Sequence, residues 1–141
     1  MAFEFQVVVD STHPHALADW WAEVLGWQVE PQDEAFIQRM VEAGAAAEAD
    51  TMRHRGALVW RVGAAITSPD EGRPRVLFQS VPEAKSVKNR MHLDVRVGAD
   101  KQAAEVDRLL RLGATELWRG AQGPHPWVTM ADPEGNEFCV A

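Results

Sequence analysis

Lys85-Ser-Val-Lys-Asn-Arg-Met-His-Leu-Asp-Val-Arg-Val97 is the stretch whose reading decides the fold. It begins basic in an acidic chain and then alternates. His92, Asp94 and Arg96 fall on one side, and Met91, Leu93, Val95 and Val97 on the other. A period of two is that of a β-strand with one face on a core and one free for polar work. On such a strand His92 and Asp94 share a face, about 7 Å apart along the chain. The N-terminus repeats the pattern: Phe3, Phe5, Val7 and Val9 make an apolar face, and Glu4, Gln6, Val8 and Asp10 the other. After each strand a helical segment closes on a similar tripeptide, Val24-Leu-Gly26 and Arg111-Leu-Gly113. Gln6 lies 20 residues before Gly26, and His92 lies 21 before Gly113. Each half ends on a matching pair, Phe78-Gln79 and Phe138-Cys139. Together these echoes imply a duplicated unit.

The rest of the chain fits between these strands. Pro14 opens a helix whose apolar positions are Ala16, Leu17, Trp20, Trp21, Val24 and Leu25, with Gly26 as its stop. Trp27–Glu30 is strand-like, and Asp33–Ala49 reads as a second helix with an Ala-rich end. That helix has no counterpart in the second half, so it reads as an insertion. Ala57–Val62 is a strand that Gly63–Thr67 continues or pairs with; 68–74 is a loop, and Arg75–Val81 a further strand. Beyond the central stretch come a helix over Asp100–Leu112 (Ala103, Val106, Leu109 and Leu110 inward), strands at Ala114–Trp118 and Trp127–Met130, a loop at Gly120–Pro124, a turn at Asp132–Asn136 and a last strand at Glu137–Ala141. Each half is therefore β-α-β-β-β. The expected fold is α+β: two such modules form one curved mixed sheet with a central cleft, helices on its outer face. The chain 1–141 reads as a single domain, with module one over 1–82 (insertion 33–49) and module two over 86–141.

Composition narrows the partners. At 141 residues, with 46% apolar and 25% charged side chains, the chain has the make-up of a globular domain able to bury a core. A formal charge of −7 argues against nucleic acid or an anionic membrane, which need clustered positive charge. The single cysteine, Cys139, forms no intrachain disulfide and suits a reducing compartment; with no membrane-spanning run or signal pattern, the cytoplasm is the expected location. Six Trp and no Tyr suggest flat apolar surfaces in the core or around a pocket. Nucleotide-binding glycine loops, His-Glu-x-x-His, Cys-x-x-Cys and Gly-x-Ser-x-Gly are all absent. The His13-Pro-His15 pair reads as solvated loop, since its spacing matches no zinc signature.

A twice-used β-α-β-β-β unit, with Trp20-Trp-Ala-Glu-Val-Leu-Gly26 after the first strand and Asp132-Pro-Glu-Gly-Asn136 before the last, resembles the vicinal oxygen chelate superfamily. That group contains glyoxalase I, bleomycin-resistance proteins and extradiol dioxygenases. Leu77-Phe-Gln79, Val87-Lys-Asn-Arg-Met-His-Leu-Asp94 and Gly135-Asn-Glu-Phe-Cys139 are similar to phrases of its glyoxalase-like branch. The resemblance spans nearly the whole chain. It implies a small organic ligand in the sheet cleft, a homodimer, and either a lyase or isomerase acting next to a carbonyl or a non-catalytic protein that sequesters its ligand. It places the family's four metal-ligand positions on Gln6, Gln79, His92 and Cys139.

Those four positions carry no carboxylate, which is poor chemistry for Mg or Mn. No resident metal is therefore expected. If one is held, the set is His92, Gln6, Glu137 and Cys139, whose softness suits Zn or Ni. Glu137 enters because it shares a strand face with Cys139. In the enzymatic reading His92 and Glu137 are the catalytic residues, with Gln6 beside them. The expected ligand-binding set is Gln6, Gln79, Trp60, Trp127, Lys88, Arg90 and Cys139. Each has a plainer alternative. His92 is either functional or hydrogen-bonded to a neighbour such as Gln6 or Gln79. Trp60 and Trp127 either wall a pocket or pack a core. Lys85, Lys88 and Arg90 either attract an anionic ligand or form a solvated basic loop. Cys139 is either a small filler or a donor.

Overall fold

Pro14 opens helix α1 (Pro14–Leu25) in the computed structural model, which describes residues 1–141. Gly26 ends it at φ 66°, a left-handed turn that glycine adopts without penalty. Leu17, Ala18, Trp21, Ala22 and Val24 are buried along one face, and Trp20 meets Trp21 edge-on at 5.2 Å. The chain divides into two compact units, Met1–Glu83 and Ala84–Ala141.

In unit one, β1 (Val7–Ser11), β2 (Gln28–Val29), β5 (Gly63–Thr67) and β6 (Val76–Ser80) form a sheet in the order β1-β6-β5-β2. β1 runs parallel to β6, and the other pairs are antiparallel. α1 packs on β5 and β6. Val76 and Phe78, the buried residues of β6, face that helix, so alternation turns Arg75, Leu77 and Gln79 to the opposite side. Between β2 and β5 lies an insertion. It comprises α2 (Glu34–Glu42), a 3-10 turn at Glu48–Asp50, and the hairpin β3 (Thr51–His54) with β4 (Ala57–Trp60).

In unit two, β7 (Asp94–Val95), β8 (Thr115–Gln122), β9 (His125–Ala131) and β10 (Glu137–Val140) form a second sheet in the order β7-β10-β9-β8, with β7 parallel to β10. α3 (Gln102–Arg111) packs on β8 and β10 and buries Val106 and Leu109. Counted within each unit, the strand order is first-fourth-third-second, so the repeat seen in the sequence is a repeat of topology. Phe78 and Phe138, the paired phenylalanines, are both 1% exposed.

The expected curved mixed sheet with a central cleft is not formed. The strands make two separate four-stranded sheets and a two-stranded hairpin that joins neither. β1 is bonded to β6 and β7 to β10, each as the edge of its own sheet. Both leading strands are also shorter than their alternation suggests. β6 starts at Val76 opposite Val7, so Phe3 and Phe5 have no strand beside them and are 86% and 72% exposed. β10 starts at Glu137 and pairs Cys139 with Asp94, which leaves Met91 beyond its end and exposed.

Three smaller expectations also change. α2 stops at Glu42 because Gly44 takes φ 74° and Ala45 and Ala46 turn back to the Met40 carbonyl, so the Ala-rich tail is not helical. The strand at Ala57 pairs with β3 across Arg55 and Gly56, both at positive φ, and not with Gly63–Thr67. Ala103 and Leu110 lie on the exposed side of α3, because its apolar stripe narrows to Val106 and Leu109.

Candidate functional site

Each sheet is covered by its helix on the phenylalanine face and carries its chemistry on the other. In unit one that open side holds a cavity of about 310 Å³. Ala65, Leu77 and Trp60 give it apolar lining, and Gln32, Gln79 and Arg75 give it polar lining. Trp60 arrives from the inserted hairpin. Gln32 fixes the approach: its Oε1 accepts from the Trp60 N–H at 2.8 Å, and its Nε2 donates to the Gly63 carbonyl at 2.9 Å. Gly63 must be glycine there, since a Cβ would strike the Phe78 carbonyl. Gln79 and Trp60, both expected at a ligand site, do line this cavity. Gln6 does not: its Oε1 accepts from Arg75 Nη1 at 3.0 Å. In the β1–β6 register Gln79 lies beside Asp10, about 13 Å along the strand from Gln6.

In unit two the parallel register brings Asp94 beside Cys139. Alternation puts His92 on the face of Asp94, and His92 Nδ1 lies 3.0 Å from Asp94 Oδ1. Nitrogen, carboxylate oxygen and thiol sulfur all lie within 4.8 Å of one another. Thr129, buried on β9 opposite Cys139, brings its Oγ1 to 3.5 Å from the sulfur.

His92, Asp94 and Cys139 are therefore a group able to hold a divalent metal. A tetrahedral ion takes donors at about 2.0–2.3 Å and so needs them roughly 3.5 Å apart, within reach of small side-chain rotations from this spacing. A carboxylate and a thiolate cancel the two positive charges, and imidazole with sulfur suits Zn or Ni. The side chains of His92 and Asp94 are 41% and 51% exposed, which leaves room for a further ligand. Asp94 is the donor that carrying over the family's positions missed. The signal was present in the sequence, since Asp94 sits two residues from His92 on the same strand face.

Glu137 shares the face of Cys139, as expected, but its carboxylate is already engaged. Lys85 Nζ donates to Oε1 at 2.9 Å, and the Asn89 N–H donates to Oε2 at 2.9 Å. Burial by itself would raise this carboxyl; the Asn89 N–H and the Lys85 ammonium outweigh it and hold it at about 2. Glu137 is thus a fixed anion at neutral pH, and Lys85 is bound to it in place of recruiting a ligand. A folded value below the ordinary carboxylate range stabilises the fold above about pH 4, and that stabilisation is lost as pH falls toward 2. Replacing Lys85 with Met is expected to cost about 2 kcal/mol at pH 7 and to flatten the loss between pH 4 and 2, read as urea midpoints across that range.

Lys88 and Arg90 lie exposed on the loop before β7, and Lys88 Nζ reaches the Asn89 carbonyl at 3.2 Å. Trp127 is half-buried on β9 and lies over Gly120 of β8, where a Cβ would fall 2.5 Å from the indole. It packs against its own sheet. His15 was expected in a solvated loop, but it is buried inside α1 and its Nε2 lies 2.7 Å from the Trp60 carbonyl.

Two β-α-β-β-β units of the same strand order, one carrying a His–Asp–Cys group on its open face, define a protein of the vicinal oxygen chelate class. The profile described as "Glyoxalase-like domain" matches residues 6–141, and the chain belongs to that family, in the glyoxalase and bleomycin-resistance branch. Among solved structures, the fosfomycin resistance protein FosX from Mesorhizobium loti is similar, with a TM-score of 0.64 at 8% identity, over 99% of this chain and 90% of that one. FosX from Listeria monocytogenes gives a TM-score of 0.63 at 6% identity, over 99% and 92%. A glyoxalase/bleomycin resistance protein/dioxygenase family enzyme from Burkholderia phytofirmans gives 0.61 at 16% identity, over 96% and 94%. No curated protein matches the sequence. No helix is long and apolar enough to cross a membrane.

Proposed function

We propose that the protein binds a small, flat organic molecule on the open sheet face of unit one and sequesters it. The observation that carries this reading is the cavity itself, with an indole wall, an Ala65–Leu77 floor and two carboxamides, Gln32 and Gln79. Apolar walls with a few fixed polar groups are what a small-molecule site needs. Arg75 at the rim suits an acidic substituent, although Glu30 Oε2 is already 2.5 Å from its Nε. That structures of the same fold include fosfomycin resistance proteins supports a small-molecule role. The probe of choice is naphthalene-2-carboxylate, titrated by calorimetry. Trp60→Ala is expected to weaken its binding about 30-fold, the usual loss for a buried aromatic anchor. Equal affinity in the two proteins would sink the reading.

A second reading is a lyase or isomerase acting next to a carbonyl, and the His92–Asp94–Cys139 group is what favours it. A divalent ion there supplies Lewis acidity toward a carbonyl oxygen. The chain's own part is to hold it: Asp94 and Cys139 provide the charge, and the Thr129 hydroxyl orients the sulfur. Mass spectra of a ligand recovered intact after incubation with metal-loaded protein favour sequestration, and a converted ligand favours catalysis. A homodimer in the cytoplasm belongs to the same proposal. The exposed Phe3, Phe5, Val87 and Met91 support the dimer, and the lone cysteine supports the compartment.

A further inference from the structure

The edge of β4 that faces away from β3 has no third strand at Trp60, yet both polar backbone atoms of that residue are satisfied by side chains. The N–H goes to Gln32 Oε1 at 2.8 Å. The carbonyl accepts from His15 Nε2 at 2.7 Å. A carbonyl can only accept, so His15 must carry its proton on Nε2. At 5% exposure His15 has no solvent to turn toward.

The same helix face grips the hairpin once more. Asp19, one turn beyond His15 on α1, has its Oδ2 2.6 Å from His54 Nε2 and 3.0 Å from Arg55 Nε. The His15 and His54 rings lie 5.2 Å apart at 33°. The hairpin is therefore docked on α1 by polar contacts at its turn and at its last residue, and that last residue is the cavity wall.

We propose that His15 is a positioning residue for the cavity. Its Nε2–H and the Gln32 carboxamide together fix the peptide of Trp60, so that the indole stands as a flat wall and sets a preference for planar ligands. This rests on the cavity being the ligand site. It extends that reading to two residues, one on α1 and one after β2, of which His15 does not line the cavity.

The test compares naphthalene-2-carboxylate with cyclohexanecarboxylate, acids of equal charge of which only the first is flat. The wild type is expected to prefer the flat acid about tenfold, the worth of one aromatic stacking contact. His15→Ala and Gln32→Ala are expected to bring that preference close to one. His15→Gln, which can still donate to the carbonyl, is expected to keep most of it. A purely structural His15 would change the urea midpoint and leave the preference intact, so an unchanged ratio in folded His15→Ala overturns the proposal. If that variant does not fold, His15→Phe, which keeps a ring and cannot donate to the carbonyl, decides in the same way: a lost preference upholds the proposal and an unchanged ratio overturns it.

Should the wild type bind neither acid, the ligand reading of the cavity falls by itself. The hold on the indole is then read from acrylamide quenching of Trp60 emission, taken as the difference between each protein and its Trp60→Phe partner. Greater quenching in His15→Ala upholds the hold, and equal quenching removes it.

Discussion

Phe78→Ala is expected to destabilise unit one by about 3–5 kcal/mol, and Phe138→Ala to do the same to unit two. Both rings are 1% exposed. Each lies on the strand next to its sheet's leading strand, turned toward the covering helix: α1 over β5 and β6, α3 over β8 and β10. Removing such a ring loses its transfer energy and leaves a void that β-sheet neighbours cannot collapse into. The loss is a large share of the ~5–15 kcal/mol that holds an ordinary domain together. Phe→Leu at either position keeps most of the volume and is expected to cost less than half as much. Denaturant midpoints, followed by Trp emission and far-UV dichroism, measure both. A drop below about 1 kcal/mol for Phe78→Ala would mean that the helix does not sit on the face described.

The second large effect concerns the His92–Asp94–Cys139 group. The wild type is expected to bind one Zn per chain, measured by competition against a chromophoric chelator. His92→Ala and Cys139→Ser are each expected to weaken it about 100-fold, and Asp94→Asn at least tenfold. The Asp94 loss is smaller because an amide oxygen keeps the position and gives up only the charge. Affinity is expected to rise with pH, since the thiol must release its proton to ligate. Gln6→Ala is expected to leave Zn binding unchanged, because its carboxamide is held by Arg75. Zn binding that is indifferent to Asp94→Asn would remove the carboxylate from the site.

The contrast between Asp94 and Gln6 shows where sequence reasoning runs out. Alternation put His92 and Asp94 on one side of the chain, and the two side chains do meet, although β7 begins only at Asp94 and His92 lies just ahead of it. Carrying over family positions then passed over Asp94, whose place beside Cys139 comes from the parallel register of β7 and β10, a pairing between segments 45 residues apart. Gln6 matched His92 in the repeat read along the chain, but the registers make Asp10 beside Gln79 the counterpart of Asp94 beside Cys139. Arg75 holds the Gln6 carboxamide, and no pattern along the chain announces either fact. Glu137 was read onto the correct face; what the chain could not show is that Lys85 and the Asn89 N–H hold it as a fixed anion. His15 is the clearest miss. A His-Pro-His run looks like loop, and only the docking of a hairpin 45 residues on makes it a buried donor.

By itself the sequence determined the elements whose causes are local. These are α1 with its Pro14 start and Gly26 stop, the Asp132–Asn136 turn, and the doubled β-α-β-β-β order with Phe78 and Phe138 at matching points. Helix periodicity, proline and glycine conformation and strand alternation all act over a few residues and leave their mark in the chain. Tertiary structure alone decided which strands pair. It produced two separate sheets where one was expected, ended β1 and β7 where their partners end, and set Asp94 beside Cys139 and Trp60 beside Gln32. Strand pairing depends on hydrogen-bond partners and buried faces far apart in the chain, and those are settled only when the whole polypeptide competes for the same edges.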